Sequence, residues 1–105
     1  MNQNNMQFMR YLYIKKIEKD GGVDIIIHGD SMSPTIEDGA LVKIRRAEEY
    51  RLDDIVAFLC PDGTAKIIVH RIVLDETDYV LTKGDNNDFI DPFKVYKKII
   101  LGKVE

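Results

Sequence analysis

The sequence predicts a mostly β domain with one helix at its N-terminus. After the first 22 residues, short runs rich in Val and Ile recur, and turns containing Gly, Pro or Asp separate them. Before that point, apolar residues are instead spaced three and four apart, which is the helical period. The chain has 105 residues, of which 45% are hydrophobic. We therefore expect one folded domain, made of an N-terminal helix at 1–22 and a β domain at 23–105.

The helix is predicted over residues 6–19, and the glycines at 21 and 22 end it. Its buried face consists of apolar residues three or four apart, namely Met6, Met9, Tyr13 and Ile17. Residues 11–14 are also rich in β-forming side chains, so a strand there remains the alternative. Predicted strands follow at 23–27, 40–44, 55–59, 65–74 and 78–82, and the chain closes with the segment 95–104.

Composition excludes several classes of function. The net charge is -3 and there is no long basic block, so nucleic-acid binding is not indicated. No run approaches the roughly 18 apolar residues needed to cross a bilayer, and the polar N-terminus is unlike a signal peptide. We therefore expect a cytoplasmic protein without an intrinsic membrane anchor. The basic residues Arg10, Lys15 and Lys16 leave a peripheral role at a membrane surface open. The single cysteine, Cys60, allows no internal disulfide and is interpreted as a structural strand-end residue.

The stretch His-Gly-Asp-Ser-Met-Ser-Pro at 28–34 places Ser31 just after a predicted strand. A serine becomes a nucleophile only when a base within hydrogen-bond reach removes its proton. The chain has two histidines, His28 near the serine and His70 inside an apolar run. A histidine in such a run is more often a hydrogen-bonded core residue, but beside an exposed serine His70 becomes the candidate base.

An imidazole base works better when a carboxylate holds its second nitrogen. The polar loop at 84–91 offers three carboxylates, those of Asp85, Asp88 and Asp91. The loop could instead be an ordinary Asx-rich turn or a weak cation site. It lacks the mid-loop glycine and final glutamate of a helix-loop-helix calcium site. We therefore predict no metal and no other cofactor.

Several of these stretches together resemble one family. The segment 29–34, with Asp-Gly-Ala-Leu-Val at 38–42, resembles the nucleophile box of the signal peptidase/LexA superfamily of serine peptidases, although Ala40 stands where that family often has aspartate. The segment 69–72 resembles its base-bearing strand. Bacterial signal peptidases and LexA-type repressors have lysine there, whereas the endoplasmic-reticulum and archaeal signal peptidases have histidine, as here. Thr-Lys-Gly-Asp-Asn-Asn at 82–87 resembles an element of that histidine-bearing branch. The resemblance covers roughly 23–104.

The resemblance implies a coiled, mostly antiparallel β fold with a groove beside the serine. It implies Ser31 as nucleophile, His70 as general base and Asp91 as the residue that orients the base. Asp85, which resembles the family's structural aspartate, is the second choice, and Pro92 stands where the family usually has arginine.

The resemblance also implies where a substrate would lie. The backbone N–H of Ser31, helped by the segment of Met32 and Ser33, would stabilise the oxyanion. An extended peptide would add a strand along the edge that contains Ile25 and Ile27, and Met32 would line the groove.

The implied activity is that of a serine endopeptidase acting on an extended peptide or on a leader or signal-like segment. The chain has neither the apolar anchor helix of signal peptidases nor the DNA-binding domain of LexA-type repressors. It is therefore expected to resemble small stand-alone members that act in trans. Two alternatives remain open: a non-catalytic module that binds peptides, and a repressor-type regulatory module that dimerises. Association with a partner protein and a homodimer also remain open.

Overall fold

A computed structural model describes residues 3–105, so the first two residues of the predicted segment 1–22 lie outside the described part. The helix α1 spans Gln3–Asp20 and is followed by seven strands. These are β1 (Val23–Ile26), β2 (Leu41–Arg45), β3 (Ile55–Leu59), β4 (Ile67–Asp75), β5 (Tyr79–Lys83), β6 (Val95–Tyr96) and β7 (Gly102–Val104), with a 3₁₀ turn at Lys97–Ile99. The predicted mostly β fold with one N-terminal helix is confirmed.

The seven strands form one curled antiparallel sheet in the order β1-β2-β7-β3-β4-β5-β6. Several stretches of strand edge have no partner strand among the described residues, the outer edge of β6 among them, and two of these stretches belong to β1 and β4. One is the outer edge of β1, which pairs only with β2. The other belongs to the first half of β4, because β3 pairs with residues 67–71 whereas β5 pairs with β4 only from Arg71 onward. The unpaired backbone groups of both stretches are available to a further strand.

The closing run at 95–104 is not one continuous element. β6 pairs with β5 at one edge of the sheet, whereas β7 lies inside the sheet between β2 and β3. The 3₁₀ turn redirects the chain between these two places. β7 approaches β2 so closely that a Cβ on Gly102 would lie 2.5 Å from the carbonyl oxygen of Arg45, so only glycine fits there. Apolar composition alone could not indicate this break.

The core consists of two clusters on the two faces of β3. Side chains alternate along a strand, so Ala57 and Leu59 enter the first cluster while Val56 and Phe58 enter the second. The first cluster also receives α1, whose predicted buried face is confirmed. Met6 and Ile17 are buried, and Met9 and Tyr13 pack against the same cluster. The alternative of a strand at 11–14 is wrong, because those residues are helical.

Among the described residues there is no helix with the length and apolar character that crossing a membrane requires.

Candidate active site

Ser31 lies in the loop between β1 and β2. Backbone hydrogen bonds close the base of this loop, from the Ile27 N–H to the Ala40 carbonyl (2.9 Å) and from the Gly39 N–H to the Ile27 carbonyl (2.7 Å). The carboxylate of Asp38 accepts a further bond from the Gly29 N–H at 2.8 Å. The loop is therefore fixed on the sheet, and it holds Ser31 half-exposed beyond the end of β1.

The side chain of Ser31 meets an imidazole from β4. The Nε2 atom of His70 lies 3.2 Å from Ser31 Oγ, and its Nδ1 atom lies 2.6 Å from Asp91 Oδ2. The side chain of His70 is 11% exposed. The structure therefore brings together Ser31, His70 and Asp91, three residues far apart in sequence, in one hydrogen-bonded line. In this arrangement His70 can accept the serine proton while Asp91 stabilises the imidazolium that forms.

Asp91 is held in place by its own neighbours. Its N–H donates to the Thr82 carbonyl at 2.8 Å, and the Thr82 hydroxyl donates to Asp91 Oδ2 at 2.7 Å. Thr82 is fully buried and lies on β5, on the same face of that strand as Val80. The oxygen that faces His70 therefore accepts a second hydrogen bond from a rigid strand.

Asp85 does not contact the imidazole. Its two carboxylate oxygens accept bonds from Arg71 Nε and Nη2, each at 2.8 Å, and from the Thr35 hydroxyl at 2.6 Å. The guanidinium of Arg71 is the main cause that lowers the pKa of Asp85 to about 2. Asp85 is therefore a charged partner of Arg71, linked through Thr35 to the loop that contains Ser31.

The turn after β5 also contacts the Ser31 loop directly. The Asn86 N–H donates to the Ser31 carbonyl at 2.8 Å, and the Asn86 side-chain amide donates to the Asp30 carbonyl at 3.1 Å. A Cβ on Gly84 would lie 2.6 Å from the Ser31 carbonyl oxygen, so the two segments can approach this closely only because residue 84 is glycine. The Gly-Asp-Asn-Asn turn therefore fixes the position of the nucleophile loop relative to β5.

A groove of about 670 Å³ runs from Ser31 and His70 between the unpaired edges of β1 and β4. One wall comes from the end of β1 and the residues that follow it, and it includes Ile25 and Ile27. The opposite wall comes from residues 65–70, and the exposed His28 lies at the margin. The position of the groove lets a peptide in it reach both unpaired edges.

Two predicted substrate-binding residues lie elsewhere. Met32 is only 1% exposed, and its sulfur accepts a hydrogen bond from the Asp85 N–H, so it packs in the core and does not line the groove. The N–H of Ser33 donates to the Asp30 carbonyl, and its hydroxyl donates to Glu37. Ser33 therefore has no free donor for an oxyanion. Within residues 3–105 the N–H groups of Ser31 and Met32 are not engaged in any hydrogen bond.

A family model described as Peptidase S24-like matches residues 4–105. The chain belongs to the Peptidase S24-like family. No curated protein matches it. The match confirms the resemblance to the signal peptidase/LexA superfamily, and membership supports a peptidase or a LexA-type regulatory function on this fold, since the family includes members without catalytic activity.

Four side chains that support the site of this S24-like protein were not predicted from sequence. These are Thr35, Arg71, Thr82 and Asn86. Thr82 had a usable signal, because it is a hydroxyl residue at a strand position whose neighbours on the same face are apolar, and such a group needs a buried partner. The signal for Arg71 was weaker. As the neighbour of His70 on the strand, its cation must point to the opposite face, where it needs an acidic partner. Thr35 and Asn86 lie in turns, where composition says nothing about partners far along the chain.

Proposed function

We propose that this chain is a serine endopeptidase in which Ser31 attacks a peptide carbonyl, His70 acts as general base and Asp91 orients the imidazole. The observation that supports it most directly is the line of contacts from Ser31 Oγ through both ring nitrogens of His70 to Asp91 Oδ2, at 3.2 and 2.6 Å. Both distances suit proton transfer and the orientation of a base.

The proposed reaction is acyl transfer in two stages. His70 Nε2 takes the Ser31 hydroxyl proton as Oγ bonds to the carbonyl carbon, and the resulting imidazolium then gives that proton to the leaving amine. Water hydrolyses the acyl-enzyme by the same route, with His70 again as base. Asp91 holds the Nδ1–H throughout, so that Nε2 is the nitrogen free to accept the serine proton.

The oxyanion would be stabilised by backbone donors of the nucleophile loop. The Ser31 N–H is the first candidate, because it lies on the same residue as the attacking oxygen and donates to no described group. The Met32 N–H is likewise free, whereas that of Ser33 is occupied. Donors fixed in advance at the site of developing charge are usually a large contribution to catalysis. Asn86 supports them by holding the Ser31 carbonyl.

The substrate is proposed to be an extended peptide. A strand laid in the groove would lie between the unpaired edges of β1 and β4 and could form main-chain hydrogen bonds with both. Main-chain pairing gives affinity without requiring a particular sequence. Selectivity would come from the apolar side chains that line the groove, among them Ile25 and Ile27.

The test is cleavage profiling with a peptide library. The native chain should cleave, and Ser31→Ala should abolish cleavage with little change in stability, because it removes the nucleophile alone. His70→Ala should lower the rate of cleavage by a comparable factor, since members of a catalytic unit act together. Ser33→Ala is the matched control: its hydroxyl is bound to Glu37, and it is the only other serine in the chain.

A serine-reactive probe gives an independent readout. A fluorophosphonate should label the native chain and the Ser33→Ala variant but not Ser31→Ala. Cleavage that survives in Ser31→Ala would contradict the proposal. Peptide binding without cleavage by the native chain would instead favour the non-catalytic peptide-binding module.

A further inference from the structure

The groove has one wall that does not come from the sheet. Among the described residues that line it, only Tyr13 belongs to α1. The ring packs partly against the first core cluster and is only half-buried. Its hydroxyl takes part in no hydrogen bond of the described residues. Tyr13 therefore has one side on the core and another on the space that a substrate would occupy.

Directly behind this wall lies a second, much smaller cavity. Its volume is about 10 Å³, near the smallest space that can hold one water molecule. Apolar residues of the first cluster surround it. Three residues line both the groove and this cavity, namely Tyr13, Ile25 and Ile67. These three side chains are therefore the partition between the two spaces, and α1 contributes the largest of them.

The partition can be placed along a bound peptide. Ile67 precedes His70 by three residues on β4, which is about 10 Å of extended strand. Side chains alternate along β4, so Ile67 and Val69 point toward the first cluster, the side on which Tyr13 packs. A substrate side chain about three residues from the reacting carbonyl, and directed to this side, would meet the Tyr13 ring.

We propose that Tyr13 is a specificity-determining residue, which limits the size of the apolar substrate side chain bound about three residues from the scissile bond. This inference rests on the proposed function. With the ring present, the groove ends at the partition and accepts a small side chain. Without the ring, the groove and the cavity behind it join, and a larger apolar side chain fits. The lining of the cavity is apolar, so the gain is confined to apolar side chains.

The experiment uses a peptide that the native chain cleaves, with the residue at this position varied among Ala, Val, Leu and Phe. In Tyr13→Ala, the ratio of kcat/KM for the Leu peptide to that for the Ala peptide should rise about tenfold or more, as expected when a pocket gains room for several methylenes. Tyr13→Phe, which keeps the ring, should leave the ratio unchanged. Tyr11→Ala is the matched control, because Tyr11 is on the same helix, is 55% exposed and does not line the groove. If Tyr13→Ala does not fold, Tyr13→Leu keeps apolar packing on the core and should raise the ratio by a smaller factor.

Dissociation constants for the same peptides, measured in a Ser31→Ala background, separate the two proposals. If the native chain cleaves, Ser31→Ala does not, and the folded Tyr13 variants keep the native ratio, the role of Tyr13 is overturned while the peptidase stands. If no library peptide is cleaved, the same substitutions are made in a library peptide that the Ser31→Ala chain binds. If the Tyr13→Ala, Ser31→Ala double variant then binds the Leu peptide about tenfold more tightly relative to the Ala peptide, the peptidase falls and the size limit set by Tyr13 stands. Absence of both cleavage and binding overturns both.

Discussion

Asp85 and Asp91 stand near the two ends of the loop between β5 and β6, and each binds one of two adjacent residues of β4. Asp91 is hydrogen-bonded to the imidazole of His70, whereas Asp85 is hydrogen-bonded to the guanidinium of Arg71. Neighbouring side chains on a strand point to opposite faces, so the two pairs lie on opposite sides of β4. The two carboxylates thus have different partners because successive side chains of β4 point to opposite faces of the sheet.

The difference between the two pairs is the chemistry of the partner. The guanidinium remains protonated at any ordinary pH, so the Arg71–Asp85 pair is a permanent ion pair that can only hold segments together. An imidazole, unlike a guanidinium, can accept and release a proton during a reaction, so the His70–Asp91 pair can take part in proton transfer. Asp85 reaches the Ser31 loop through Thr35, and Asp91 reaches Ser31 Oγ through His70. One aspartate thus supports the position of the nucleophile and the other its activation.

The largest effect is expected when the His70–Asp91 pair is changed. Asp91→Asn should lower kcat by about 10³ to 10⁴ with little loss of stability, because an amide can still hydrogen-bond the ring but cannot stabilise the imidazolium. Peptide cleavage kinetics measure this. Asp88→Asn, which alters an exposed carboxylate of the same loop, is the control and should be near native. A native rate in Asp91→Asn would remove that residue from the mechanism.

A smaller effect, on stability, is expected when the Arg71–Asp85 ion pair is removed. Asp85→Asn should lower the free energy of unfolding by about 2 kcal/mol at pH 7, in line with its lowered pKa and the loss of the ion pair with Arg71. Urea denaturation measures it. The rate of cleavage should fall by less than in Asp91→Asn, because the contact that Asp85 makes with the nucleophile loop is indirect.

The pH dependence of this stability term has a definite sign. A carboxylate whose pKa is lower in the folded state stabilises the fold fully above its ordinary pKa, near 4, and loses this contribution as the pH falls toward about 2. The stability difference between the native chain and Asp85→Asn should therefore shrink between pH 4 and pH 2. A difference that stays constant over this range would show that the ion pair is not its source.

The smallest effect concerns the support of Asp91. Thr82→Val keeps the shape of the side chain but removes the hydroxyl that donates to Asp91 Oδ2, so kcat/KM should fall about tenfold, the effect of losing one hydrogen bond to a charged group. Thr77→Val, at an exposed turn position, should be native in cleavage assays. An unchanged rate in Thr82→Val would mean that the backbone bond from Asp91 to Thr82 suffices to fix the carboxylate.

Much of the fold could be predicted from local pattern. The strands at 23–27, 40–44, 55–59 and 78–82 are found within one residue of their predicted bounds at each end, because short β-rich runs between turns indicate strands directly. The break within 95–104 was not predicted, because it depends on the sheet order, which puts β6 beside β5 at one edge and β7 between β2 and β3. The resemblance implied that Met32 lines the groove, but the turn after Ser31 directs its side chain into the core.

By itself, the sequence determined which segments form strands and a helix, and its motifs indicated Ser31 and His70 as the candidate nucleophile and base. These properties depend on side-chain periodicity and on residues that are adjacent in the chain. Only the tertiary structure decided that Asp91 faces the imidazole while Asp85 faces Arg71, and that Tyr13 from the helix closes one side of the groove. Contacts of this kind depend on strand order and on the curl of the sheet, which no local pattern in the sequence specifies.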